Sequence, residues 1–300
     1  MATRDGEEFI EEQLMSIAAQ EEVDVELWIS DDGSSDRTLE KIADFMALNP
    51  AFPVKVLRGP QAGFVCNFLS MVCNEDVDAP YLAFSDQDDL WHPGKLRVAV
   101  DALAHAPAGV PALYTSRTRT ISNDGEVKGC SPHFSRPPSL ENALVQSIGG
   151  GNTMVFNDAL RRLLVYAGSD VDVPTHDWWA YLVAASCGGF ITYDPQPHID
   201  YRQHGGNIIG ENSSLIARIF RLNMLLKGRF RRWTDRNLDA LQRIEPQMTS
   251  HSKAKVKAFR ALRKKPSPLL RLGELKRLGL YRQTIFGTIS MHVAVFLNRL

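Results

Sequence analysis

Leu82 to Leu96 reads LAFSDQDDLWHPGKL. Three carboxylates, Asp86, Asp88 and Asp89, fall within four residues, directly after the apolar stretch Tyr81, Leu82, Ala83 and Phe84. Side chains of an extended segment alternate with period two, so Asp86 and Asp88 point the same way and can converge on one hard cation. Mg²⁺ or Mn²⁺ is typically bound by one or two carboxylates, with substrate phosphates and water completing the shell. An ion held in this way stabilises a diphosphate as a leaving group. Asp89 points away and is expected to cap the helix that follows. A bare Asp-X-Asp also describes a solvated acidic turn. What favours the ligand reading is context: an apolar strand leads into it, and a second acidic turn ends another strand.

That second turn is SDDGSSD, from Ser30 to Asp36. Asp36 or Ser34 suits a helix cap, but Asp31 and Asp32 cannot both be caps. A carboxylate here can accept from a nucleobase imide N–H or a ribose hydroxyl. An ordinary strand-to-helix turn explains it equally well.

The elements that must position these groups follow from periodicity. EEFIEEQLMSIAAQ has Phe9, Ile10, Leu14 and Ile17 at helical spacing. VDVELWIS reads as a strand, TLEKIADFMALN as a helix packing Leu39, Ile42, Ala43 and Phe45 or Met46, PVKVLRG as a strand and GFVCNFLSMVCN as a helix. YLAFSD is the next strand, HPGKLRVAVDALAHA the next helix and PALYTSRTRTI a strand with a turn at Asn123-Asp124-Gly125. Strand and helix alternate as parallel βαβ units do, and ligands of open parallel sheets bind beyond the C-terminal strand ends. Both acidic clusters sit at that end. Further on, GGGNTMVFN leads into a short strand, DALRRLLVYA and PTHDWWAYLVAASC read as helices, and GFITYD and HIDYRQHGGN as two short strands and a loop. The sheet opens oddly: MATRDGEEF runs almost at once into a helix, so the first strand looks clipped.

Composition sets the outer bounds. The 300 residues are 44% hydrophobic and 23% charged, which is ordinary for a globular chain. No stretch is apolar for long enough to span a bilayer, and the N-terminus lacks the apolar core of a signal peptide. The four cysteines lack zinc spacing and read as reduced thiols of a cytoplasmic protein. Net charge is −1, but residues 213–300 hold 20 Lys and Arg against 4 Asp and Glu, a net of +16, leaving −17 on residues 1–212. Such asymmetry points to two parts with different partners.

SDDGSSDRT, FSDQDDLW, GGGNTMVFN, HDWW and YRQHGGN occur in an order and spacing that resembles glycosyltransferase family 2, and among its members the bacterial rhamnosyltransferase-like proteins that decorate surface polysaccharide. The resemblance covers roughly residues 1–210. It implies an α/β GT-A fold, a Rossmann-like mixed sheet flanked by helices, with residues 211–300 as a basic helical extension. It implies an inverting, metal-dependent transfer from a nucleotide sugar, such as rhamnose from dTDP-rhamnose, to a glycan or lipid-linked acceptor. Carried over, Thr3, Asp5, Asp31, Asp32, Gly63, Asn67, Asp86 and Gln87 fall on the nucleotide-sugar side. Asp86 and Asp88 match the metal motif for Mg²⁺ or Mn²⁺, with His204 approaching the diphosphate or metal. Gly150, Gly151, Asn152, His176, Trp178 and Trp179 face the acceptor. His176-Asp177 stands where the family has Glu-Asp, which makes Asp177 the candidate base. Inversion needs one carboxylate to take the acceptor hydroxyl's proton as that oxygen attacks opposite the diphosphate, and tryptophan faces are good sugar platforms. Taken without the resemblance, Asp177 is a helix-start residue favoured by the helix dipole, with both indoles in the core. Arg4 departs from the family, standing where a tyrosine is common.

The basic tail has two competing uses. LIARIFRLNMLLKGRFRRW places Leu215, Ile219, Leu222 and Leu226 along one face, and TIFGTISMHVAVFL is as apolar as an interfacial segment and too short to span. An anionic membrane surface at the inner face of the membrane is the expected partner. Packing of the tail on the catalytic part is the alternative. Nucleic acid is not expected, because no recognition motif accompanies the charge and an acidic catalytic half repels phosphates. Two rival functions remain: a nucleotidyltransferase, which uses similar carboxylates but needs no HDWW segment, and an impaired relative that only binds nucleotide or membrane.

Overall fold

The computed structural model describes residues 1–203 and 228–300. A first sheet is parallel and three-stranded: β1 (Ala2–Thr3), β2 (Leu27–Asp31) and β3 (Val54–Arg58). Helices α1 (Ile10–Ala18) and α2 (Thr38–Leu48) make the crossovers. Ile10, Leu14, Ile17, Ile42 and Phe45 bury their side chains against Leu27 and Ile29. The choice at the end of α2 falls on Phe45; Met46 and Leu39 face solvent.

Helix α3 (Phe64–Val72) leads to a second, mixed sheet in which β4 (Tyr81–Ala83), β8 (Val155–Asn157), β6 (Ala112–Ile121), β9 (Phe190–Arg202) and β5 (Leu90–Trp91) lie in that order. Strand β7 (Val127–Cys130) forms a hairpin on β6 across the expected Asn123–Gly125 turn. The Ala2 N–H donates to the Ser85 carbonyl at 3.3 Å, just past β4, so the edges of the two sheets meet where the acidic loop begins.

The mixed sheet corrects two local expectations. β4–β8, β8–β6 and β5–β9 are antiparallel, and only β6–β9 is parallel, so the βαβ pattern stops at β4. The two short strands read from GFITYD and HIDYRQHGGN are one strand of 13 residues. Its prolines sit at a register shift, where Asp194 pairs with Ser116 and Pro197 with Arg117, and a bulge there needs no proline N–H.

Helices α4 (Lys95–Leu103), α5 (Leu140–Ala143), α6 (Asp158–Ala167) and α7 (His176–Ser186) cover the sheet. Helix α7 is buried almost all round, as expected of a helix apolar on every side. The basic tail supplies α8 (Arg229–Ala240), α9 (Ser250–Lys264), α10 (Pro268–Leu278) and α11 (Ile285–Phe296). Leu238, Ile244, Phe259, Leu275 and Met291 of this tail join the hydrophobic cluster that contains Leu113, Phe156 and Trp179. The stretch Leu215, Ile219, Leu222 and Leu226 lies outside the described residues.

Candidate active site

The residues expected on the nucleotide side are held by the turns that leave β1 and β2. Asp5 takes a left-handed conformation, φ 47°, and its carboxylate accepts from the Ser35 N–H at 2.7 Å and the Ser35 hydroxyl at 3.1 Å. Asp31 accepts from the N–H groups of Gly33 and Ser34 and from the Ser34 hydroxyl, closing its own turn. Asp32 reaches across to the next connection and accepts from the N–H groups of Gln61 at 2.6 Å and Gly63 at 3.2 Å. Asn67 donates to the Ser30 carbonyl at 2.9 Å, and its own side-chain oxygen is buried without a partner. Gly63 has φ +90°, a backbone that disfavours other residues, and leaves open space at the N-terminus of α3.

Gln87 belongs to this side through its side chain. Its Oε1 accepts from the Thr3 hydroxyl at 2.6 Å and the Arg4 N–H at 2.8 Å, while its Nε2 donates to the Arg4 carbonyl at 3.0 Å. The acidic loop is thereby fastened to the β1 turn. Gln13 adds a second tie, donating to the Ser85 hydroxyl and the Asp86 carbonyl.

Four carboxylates share this end of the sheet. Asp86 is half-buried, and burial first, then the charges of Asp88 and Asp177, push its carboxyl up to about 7. Asp89 is not the expected helix cap. It turns inward, is buried, and accepts from the Asn152 amide at 2.7 Å, while its other oxygen has no partner. Burial and its two aspartate neighbours push it far above the usual carboxylate range. The cap position of α4 falls to Gly94 instead. Behind the cluster Lys95 is buried, its ammonium 3.4 Å from the centre of the Trp91 ring and without a hydrogen bond; burial lowers it to about 7 against the pull of Asp89 and Asp86. Arg202, also buried, donates to the Asp88 carbonyl at 3.3 Å and to Glu12 at 2.6 Å.

Asp177 begins α7, and its carboxylate accepts from the Trp178 N–H at 2.6 Å. Burial raises it, opposed by hydrogen bonds from the Thr175 side chain and from backbone N–H groups that include Gly151. Gly151 and Asn152 lie in a 3-10 turn directly before β8. His176 faces the other way. It is stacked on Phe68 at 3.9 Å between ring centres, with Phe84 edge-on at 4.6 Å; neither ring nitrogen has a hydrogen bond, and burial lowers it to about 3. A side chain on Gly151 would collide with that imidazole.

The structure therefore brings Thr3, Asp5, Asp31, Asp32, Gly63 and Asn67 together around the β1 and β2 turns, with Gln87 fastened to them. Asp86, Asp88 and Asp177 meet in one electrostatic cluster. It does not present Trp178, Trp179 or His176 as acceptor platforms. Trp178 donates to the Ala143 carbonyl from the core, Trp179 is completely covered and His176 is caged by phenylalanines, because α7 buries every face but that of Asp177. Asn152 is likewise buried, its amide spent on Asp89. His204 lies outside the described residues.

Periodicity and motif reading passed over Gly59, Gln13, Lys95 and Arg202. Lys95 ends the acidic run LAFSDQDDLWHPGKL, where a lone cation was the available signal, and Arg202 stands in YRQHGGN with no acidic neighbour in that motif. Gly59 had none. A side chain there would come within 2.8 Å of the Asp31 carbonyl, Asp32 and Asn67 together.

The donor set can be tested against a divalent ion. Among the described residues no three His, Cys, Asp or Glu side chains form a ready cage. The cluster offers instead two mutually repelling carboxylates, Asp86 and Asp88, beside a buried Asp89 oxygen without a partner. That arrangement fits an ion that takes its remaining ligands from a diphosphate and water.

The model of the family described as "Glycosyl transferase family 2" matches residues 1–164, the part that carries both acidic turns and the Gly151 loop. The dTDP-rhamnosyl transferase RfbG of Shigella flexneri is 29% identical over 254 residues, 80% of this chain and 84% of that protein. In fold the chain is similar to S. aureus TarS residues 1–349 in complex with UDP-GlcNAc, at a TM-score of 0.55 and 14% identity over 99% of this chain and 87% of that one. It is similar also to the mannosyltransferase PcManGT of Pyrobaculum calidifontis in complex with GDP-Man and Mn²⁺, at 0.54 and 15% over 99% and 84%. The mixed sheet flanked by helices is thus the GT-A fold, and the chain belongs to glycosyl transferase family 2.

Proposed function

We propose that the chain moves a sugar from dTDP-rhamnose, with inversion and with the help of Mg²⁺ or Mn²⁺, onto a hydroxyl of a glycan or lipid-linked acceptor in surface-polysaccharide synthesis. The observation that carries this reading is the Gly151–Asn152 turn: its Asn152 amide donates to Asp89 of the acidic loop at 2.7 Å while its Gly151 N–H turns to Asp177, so the candidate base is held beside the candidate diphosphate-side carboxylates. The choice of donor is supported by RfbG, whose name is that of a dTDP-rhamnosyl transferase. The wider donor class is supported by fold neighbours that hold UDP-GlcNAc and GDP-Man.

Asp177 accepts the proton of the acceptor hydroxyl. The acceptor oxygen forms its bond to the anomeric carbon as the carbon–oxygen bond to the diphosphate breaks, and the electron pair leaves on the diphosphate. Burial makes Asp177 a stronger base than a solvated aspartate, and the Trp178 and Gly151 N–H groups fix its direction. Asp86 and Asp88 would hold the divalent ion, which supplies positive charge to the departing diphosphate. Asp31, Asp32 and Asn67 brace the turns that receive the nucleotide, and Gln87 keeps the acidic loop in register with them.

A thermal-shift panel of nucleotide sugars with Mg²⁺ or Mn²⁺, followed by product analysis with the stabilising donor, tests the proposal. dTDP-rhamnose is expected to give the largest upward shift. A larger shift with another donor would reassign the sugar, and no shift with any would leave a chain that does not take up donor.

A further inference from the structure

We propose that the outward face of α11 docks on an anionic lipid bilayer. Met291, Ala294 and Val295 turn one side of this helix into the core. At roughly 100° per residue, Ile285, Ile289, Val293 and Phe296 fall on a single stripe on the side away from that core. They are exposed by 78%, 54%, 41% and 48%. Helix α10 adjoins α11, since Arg271 donates to the carbonyls of Val295 and Phe296, and at its start it exposes two further apolar side chains, Leu269 and Leu270, by 75% and 57%. Apolar residues scattered singly on a surface mean little, but four that form one stripe along a helix mark an interaction site.

Charge identifies the occupant. Residues 213–300 carry 20 Lys and Arg against 4 Asp and Glu. Lys264, Lys276, Arg277 and Arg299 are exposed. Between α10 and α11, at the edge of the stripe, a cleft of about 380 Å³ sets Arg136, Lys276 and His292 beside Leu272, Leu275 and Leu280. Cations bordering an apolar stripe match the boundary between anionic headgroups and acyl chains. A second copy of this chain would bring two strongly basic segments together, which charge opposes. Helix α11 has 12 residues, about 18 Å, and cannot cross a hydrocarbon core of about 30 Å. No helix among the described residues is long and apolar enough to do so. The helix lies in the interface plane rather than through it.

The test uses the full chain, sedimented with vesicles of phosphatidylcholine alone or containing phosphatidylglycerol, and the double variant Ile289→Asp, Val293→Asp. Both positions are exposed and remote from the carboxylate cluster, so an unchanged melting temperature shows that the variant is folded. Binding is expected to the anionic vesicles, at least roughly tenfold weaker for the variant and weaker in high salt for the parent. Failure of the parent to sediment with anionic vesicles overturns the proposal, as does equal binding by the folded variant. If light scattering shows a dimer that the variant dissolves while vesicle binding is absent, the face is a protein interface and the lipid assignment is wrong.

Discussion

The charge of Asp177 bears on Asp86, although the two residues come from distant parts of the chain. Asp86 follows β4 and Asp177 opens α7, yet after burial and Asp88 it is the Asp177 charge that lifts Asp86 toward neutrality. Replacing Asp177 with Asn keeps the shape and removes the proton acceptor. The transfer rate is expected to fall by roughly 10²–10⁴, with donor affinity by calorimetry close to that of the parent. A variant that turns over at the parent rate would move the role of base to another group.

The metal reading predicts a different signature for Asp88. Asp88→Ala leaves Asp177 and the nucleotide turns in place but removes one of the paired carboxylates. Binding of dTDP measured with Mn²⁺ is expected to weaken at least roughly 10–100-fold, the cost known for removing even an outer partner of a metal ligand. With EDTA present, parent and variant should bind equally weakly. Equal affinities in Mn²⁺ would remove the ion from the Asp86–Asp88 pair.

Gly59 gives a purely steric prediction. Its N–H donates to the Asp31 carbonyl at 2.7 Å, and an added methyl would press on that carbonyl, on Asp32 and on Asn67 at once. Two of those contacts are side chains that brace the turn after β2, on the proposed nucleotide side. Gly59→Ala is expected to destabilise the fold by about 1–3 kcal/mol, as overpacking does, and to weaken donor binding more than the rate at saturating donor. Urea unfolding and the split between KM and kcat measure the two effects.

What the sequence made legible follows from which forces act locally. Alternation and helical spacing are written residue by residue, so Ile10, Leu14 and Ile17 or the strand ending at Asp31 could be read directly. The acidic clusters were legible because charge placed after an apolar strand is costly without a purpose. Pairing direction in the second sheet was not legible, since nothing in Tyr81–Ala83 says that it meets Val155–Asn157 antiparallel. The orientation of side chains around α7 was hidden for a related reason. A helix apolar on every side carries no periodic mark of which face meets solvent, so Trp178 and Trp179 read as sugar platforms when they are core. Asp89 illustrates the same limit. Alternation sends it away from Asp88, but only the arrival of Asn152 from a distant loop decides that it turns inward rather than capping α4.

His176 couples that buried helix to pH. Its imidazole is caged by Phe64, Phe68 and Phe84, and burial lowers it from 6.5 to about 3, so the folded chain holds it neutral. The unfolded chain, with an ordinary imidazole, takes up a proton as the pH falls below about 6.5. Between there and about 3 the unfolded state binds the extra proton, so acid favours unfolding, and the stability contributed by the neutral ring is fully present only above that window. The slope is about 1.4 kcal/mol per pH unit, or about 2 kcal/mol between pH 7 and pH 5. Asp86 and Asp89, whose carboxyls are raised, act in the opposite sense and mask part of this in the parent alone. The comparison with His176→Leu separates them, because those carboxyls are present in both proteins. Urea unfolding at pH 7, 6 and 5 is expected to show the parent losing stability faster than the variant, the gap growing by about 2 kcal/mol across the series. Parallel losses would mean that His176 is protonated in the folded chain, and that the phenylalanine cage opens to water.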